Sequence, residues 1–353
     1  MTEGSPSQPT DVLLDVGDGS PEALYALFDE RGWGDGLPLV PPTSERVEAM
    51  LDHAEGDHDE VLGTLLPRSG MVTRRLVAIN AVLAGCPPEV FPVVLSVLRA
   101  LAHPEVNLRG VNATTHPVAP MVVVHGDVVK RCRFNAGVGA LGPGNRANAT
   151  TGRAIRLALL HIAGARPGSG DAATHGSPAK YTYCFAENLD ESPWESYPLS
   201  RGVDAPSSVT VHCGEAPHNI HDAEAAGDPA LILDKVASAM TSLGMNNAPI
   251  SQGEFFVVLG PEHAQSLASR GLTRSDISSY LYEHARIQAA TFRRHFQELA
   301  WDWWMKIAAD SDLLPMTGHP DNIRVVVSGG PGKHTLLVPS WGMTRSVTLA
   351  VEG

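Results

Sequence analysis

The chain has no cluster of lysines and arginines, no long apolar run and no closely spaced cysteine pair, and each absence excludes a class of function. Its 26 basic residues are outnumbered by 39 acidic ones, for a net charge of −13. A nucleic acid or an anionic membrane wants a basic face, so neither is expected as a partner. The longest apolar run, Val118 to Val124, contains a proline and is far shorter than the ~20 residues of a spanning helix. Met1 to Thr10 shows no basic segment followed by an apolar one, so no signal peptide is expected. Cys86, Cys132, Cys184 and Cys213 lie far apart, which in an unsecreted chain reads as reduced thiols in a cytoplasmic protein. No low-complexity linker marks a domain boundary.

What is present is the composition of an ordinary globular protein, 43% hydrophobic and 18% charged. A length of 353 residues exceeds one typical core, so two intimately packed halves are expected. The division reads as a disordered tail over 1–19, an α+β domain over 20–227 and an α/β domain over 228–353. Helices are expected after Ser20-Pro21, over Thr43 to His53, on either side of Gly85-Cys-Pro-Pro88, over Thr150 to Ala163, and after Pro229, Pro261 and Thr273. The last of these is followed by a long amphipathic helix reaching about Ala309. Its Trp301, Trp303 and Trp304 suit packing against the body or a partner subunit, in a homo- or hetero-oligomer. Strands are expected at Val118–Val124, Tyr181–Phe185, Ser208–His212, Phe255–Leu259, Ile323–Val327, Thr335–Val338 and Ser346–Val351. The fold class is therefore α/β or α+β, with mixed sheets covered by helices.

Four segments carry residues suited to chemistry. Asn135 to Arg153 is rich in glycine and asparagine and leads into a helix. Its Asn135, Arg146, Asn148 and Arg153, with Asn112 from the similar stretch Gly110 to Thr115, form a candidate set for a carboxylate or phosphate. The competing reading is a glycine turn that packs a buried helix closely. The segment is neither a Walker loop nor a dinucleotide fingerprint. Val327 to His334 ends a strand in a glycine turn bearing Lys333 and His334, where an open α/β sheet gathers ligands; an exposed hairpin is the alternative. His212 to Asp222 holds six potential metal ligands, of which His218 and His221 are the candidates for a divalent metal, against solvated loop histidines. Tyr183 to Trp194 offers Cys184 as a nucleophile and Glu187 as a base, against an inert buried thiol. His116 and His263 sit beside expected elements and suit catalysis or packing.

Gly34 to Thr43, Gly142 to Thr151, Lys180 to Asn188 and Gly329 to His334 together resemble a bacterial family associated with the UGSC (seleno)proteins, named for a Sec/Cys-Gly-Ser-Cys motif. The resemblance runs from about Trp33 onward. This chain has no Cys-Gly-Ser-Cys of its own. The resemblance therefore implies a two-component system in which a partner brings the thiol or selenol.

These readings combine into an enzyme acting on a small anionic substrate. Arg146, Asn148 and Arg153 would bind it, while Glu187, with His116, His218 or His334, would move protons. A redox, lyase or hydrolase reaction would fit. The alternative is a non-catalytic or co-catalytic subunit of a complex with a thiol or selenol redox protein.

Overall fold

A computed structural model describes residues 19–224, 228–247, 253–295, 306 and 308–352. Ser20 caps the first helix, α1 (Pro21–Glu30), by accepting the Ala23 N–H at 3.3 Å. A strap from Trp33 to Thr43 leads to α2 (Ser44–Leu51). The antiparallel hairpin β1 (Val61–Leu65) and β2 (Gly70–Thr73) follows. Sequence reading missed this hairpin because of the β1 residues only Leu65 is buried, which leaves no two-residue alternation to detect. Helices α3 (Arg74–Ala84) and α4 (Phe91–Ala102) are separated where expected, at Gly85, whose φ of +84° ends α3.

The sheets are built from the remaining chain. Strand β3 (Ala119–Gly126) precedes helix α5 (Arg146–His161), then come β4 (Cys184–Ala186), β5 (Ser207–Gly214) and β6 (His218–His221). Helix α6 (Ala230–Met240) leads to β7 (Phe255–Leu259), α7 (Pro261–Ala268) and α8 (Arg274–His284). After β8 (Arg286–Gln288), α9 (Ala289–His295) and β9 (Leu313–Pro315), the chain ends with β10 (Ile323–Val327), β11 (His334–Pro339) and β12 (Val347–Ala350).

Two four-stranded mixed sheets result, ordered β4-β3-β5-β12 and β10-β7-β11-β6. Both repeat one pattern. In each, a parallel pair (β3 with β4, β7 with β10) is extended by two antiparallel strands. The last strand of each half crosses over: β6 follows β5 but joins the second sheet, and β12 follows β11 but joins the first. The α/β class with mixed, helix-covered sheets is thus observed. A division of the chain at residue 227 does not follow the sheets, because each sheet takes its edge strand from the other side of that boundary.

Strand alternation then fixes four layers. Val122, Val124, Val209 and Val211 face a core built with α3, α4 and α5. Val257, Leu259, Val325 and Leu337 face a second core that includes residues of α6, α7 and α8. The alternate residues, among them Met121, Val123, Phe185, Phe256, Val258 and Val326, meet in a third core between the sheets. The order is helices, sheet, sheet, helices.

Several expected elements differ. Of Tyr181–Phe185 only Cys184 and Phe185 lie in a strand, β4, which is held by pairing with β3. Helix α5 begins four residues earlier than Thr150, because Asn145 accepts the Asn148 N–H at 2.9 Å and caps it there. After α8 ends at His284, the strand β8 intervenes before α9 (Ala289–His295), so the long amphipathic helix expected to follow α8 is described only over α9, and most of its later part lies outside the described residues. Trp301, Trp303 and Trp304 lie outside the described residues.

Candidate active site

The glycine-rich loop is folded by its own amides. The Asn148 carboxamide accepts the Asn135 N–H at 2.9 Å and donates to the carbonyls of Asn135 and Ala140 at 2.9 and 3.0 Å. Asn135 in turn accepts the Gly137 N–H and donates to the Val138 carbonyl. Arg146 donates to the Gly85 carbonyl, and Arg153 grips both oxygens of Asp35 at 2.8 Å and also reaches the Leu37 carbonyl. Of the expected substrate-binding set, Asn135, Asn148 and Arg153 therefore spend their polar groups on the loop and the strap. Gly152 lets α5 lie against the chain at Thr182 and Tyr183; a Cβ there would stand 2.6 Å from the Tyr183 backbone nitrogen.

A polar cleft of about 560 Å³ lies between the strap and the segment from Pro167 to Tyr181. Asp171 is its centre. Its carboxylate accepts Lys180 Nζ at 2.8 and 2.7 Å, Arg156 at 3.1 Å and the Ala173 N–H at 3.1 Å. Burial alone would raise the Asp171 carboxyl, but Lys180 and its other partners outweigh it and hold it below the ordinary range. Burial lowers Lys180 and Arg156, and the Asp171 charge offsets part of that shift. Burial would likewise raise Asp35, but the Arg153 guanidinium holds it down. His175 and Ser177 complete the polar lining, and the Ser177 hydroxyl is buried without a protein partner. Asn112 donates to the Leu66 carbonyl and lines a further void of about 10 Å³ that also touches Arg156 and Lys180. The cleft lining carries two cations (Arg156, Lys180) and two carboxylates (Asp35, Asp171), and Asp35 is also paired with Arg153, which does not itself line the cleft.

A second cleft, of about 320 Å³, lies where Val138–Gly142 meets Ser328–Gly332, at the carboxyl ends of the parallel strands β7 and β10. Its walls are mostly apolar (Leu141, Phe185, Val258, Leu336), and His334 is its one titratable lining residue. The two glycine segments read separately from the sequence are thus brought together. Lys333 turns away to a third cavity with Asp222, Glu262 and His263, donating to the Ala223 carbonyl at 3.3 Å.

The expected acid–base residues do not converge. Glu187 is buried between the sheets, bonded to His125 Nδ1 at 2.8 Å, Arg274 at 2.9 Å and the Tyr197 N–H at 3.0 Å. His116 pairs with Glu215 at 2.8 Å. Cys184 is fully buried and its thiol is pushed up by desolvation, as are those of Cys86 and Cys213. His218 on β6 and His334 on β11 lie on neighbouring strands of the second sheet but do not face each other. His218 stands opposite Leu337, and the residue opposite His334 is His221. His218 and His221 are three residues apart on one strand and so point to opposite faces. Among the described residues no group of three or more His, Cys, Asp or Glu side chains is placed to hold a metal ion. No described helix is long and apolar enough to cross a membrane.

Asp35, Asp171, His175 and Lys180 were not singled out in the sequence. Asp35 and Lys180 do fall within two of the four segments that carry the family resemblance. Asp171 and His175 had no such signal, since their place depends on α5 and the strap closing around them. Comparison with known proteins finds no family model that matches the chain and no curated protein similar to it in sequence.

Proposed function

We propose that the protein is an enzyme acting on a small anionic molecule bound in the polar cleft. Arg156 and Lys180 hold the carboxylate or phosphate of the substrate, and His175 carries the proton. The reading rests on one observation, the Asp171 carboxylate shared by Lys180 and Arg156 at the wall of a 560 Å³ cleft. Neutralised in part by Asp171, the two cations are desolvated at reduced cost and still attract an anion. Arg153 is a strut that holds the strap over the cleft through Asp35 rather than a ligand of the substrate. Calorimetric titration of small carboxylates and of inorganic phosphate, pH 7, tests the reading. At least one should bind saturably, with at least ~10-fold loss in Lys180→Met and in Arg156→Met, about 1.4 kcal/mol each. Unchanged affinity in both variants would sink the proposal.

A second reading is a subunit that works beside a separate thiol or selenol protein. It is favoured by the burial of all four cysteines, which leaves this chain no accessible thiol for redox chemistry.

A further inference from the structure

His221 and His334 face each other directly across the antiparallel ladder of β6 and β11. Their ring centroids are 5.0 Å apart and both residues are exposed. Two imidazoles bound to one tetrahedral zinc through bonds of about 2.1 Å place their ring centroids about 5 Å apart. The observed centroid separation is compatible with a shared ion.

Strand alternation explains why these two residues meet and His218 does not join them. Asn219 and His221 share one face of β6, while His218 and the core residue Ile220 share the other, toward the helices. His334 shares its face of β11 with Leu336, which packs against the core between the sheets and lines the glycine cleft. Asn219, His221 and His334 thus lie on the cleft side of the sheet edge.

We propose that His221 and His334 form a zinc site at the rim of the glycine-lined cleft. Two protein nitrogens leave two positions of a tetrahedral ion for water or for an oxygen or sulfur atom of a molecule in the cleft. Asn219 is the positioning residue. Its amide lies 3.2 Å from His334 Nδ1. Turned so that the carbonyl oxygen faces the ring, it accepts Nδ1–H and leaves the Nε2 lone pair for the metal. The nitrogen and oxygen of such an amide are assigned from their surroundings, so the turn needs no movement of the backbone. The buried cysteines do not compete, being closed to solvent. The site is separate from the polar cleft and does not depend on the function proposed for it.

Titration of chelator-stripped full-length protein with zinc chloride tests the proposal. One equivalent should bind, with affinity at least ~10-fold weaker in His221→Ala and in His334→Ala. His218→Ala, on the opposite face, should bind as the unaltered protein does, and Asn219→Ala should weaken binding by a smaller factor. All four substituted positions are exposed, and thermal melts of the metal-free variants check that they fold. Nitrogen-15 spectra should show zinc shifting the Nε2 resonance of His334. Equal affinity in either alanine variant, or no saturable zinc binding by the unaltered protein, overturns the assignment.

Discussion

Asp171→Asn removes one charge from between two cations while keeping the size of the side chain and one acceptor oxygen. Asp171 is 5% exposed, and the side chains of Arg156 and Lys180 that meet it are 11% and 13% exposed. Breaking a buried ion pair from one side costs about 3–5 kcal/mol, because the remaining charge is left without compensation. The residual exposure of the two cations favours the lower end, about 3 kcal/mol. Unfolding entropy of about 2.1 cal/mol/K per residue gives roughly 0.74 kcal/mol/K for this chain, so the melting temperature should fall by about 4 °C. The Asp171 carboxyl is held below its ordinary value, so its contribution is complete above the unfolded value, about 3.9, and is lost as pH falls through the lower folded value. The gap between the two proteins should therefore be constant from pH 5 to pH 8 and narrow below about pH 4. Adding Lys180→Met should recover part of the loss, with a coupling of about 0.5–3 kcal/mol in a double-mutant cycle. Thermal and urea unfolding followed by circular dichroism provide the measurement. A melting temperature within about 1 °C of the unaltered protein at pH 7 would refute the reasoning, since the cations would then be solvated without Asp171.

Two further outcomes follow from the packing. Gly152→Ala would gain up to about 1 kcal/mol in an open helix, but here its Cβ meets the backbone at Tyr183. A net loss of about 1–3 kcal/mol is expected, and increased stability in urea unfolding would show that α5 can move away from that chain at no cost. The four thiols should resist alkylation at pH 8 in the folded protein and all react in denaturant, because each is buried and free. Rapid native labelling read by mass spectrometry would contradict that burial.

Much of the fold was legible locally. Ser20, Gly85 and the Thr273–Asp276 capping box mark helix ends through backbone chemistry that operates within a few residues. Phe255–Leu259 and Ile323–Val327, the second apolar but for Arg324, are strands with the expected limits, because both are buried and bounded by polar or glycine residues. The two glycine segments were legible as turns, and the cleft between them depended on the pairing of β7 with β10. His218 to His221 read as a loop because only Ile220 is buried and its strand forms by an edge pairing with β11, more than a hundred residues away.

The sequence by itself determined the α/β class and the positions of most long elements, since these follow from periodicity and caps. Only the tertiary structure decided which side chains share a site. Glu187, read as a base at a strand end, became the acceptor of an arginine, a histidine and a backbone N–H between two sheets. Arg153, read as an anion ligand, closed on Asp35 more than a hundred residues earlier. His334 met His221 because β6 leaves the strands that precede it and pairs with β11 in the second sheet. A charged or aromatic side chain finds its partner through space, and the distance between partners is set by strand order, which no local pattern of residues encodes.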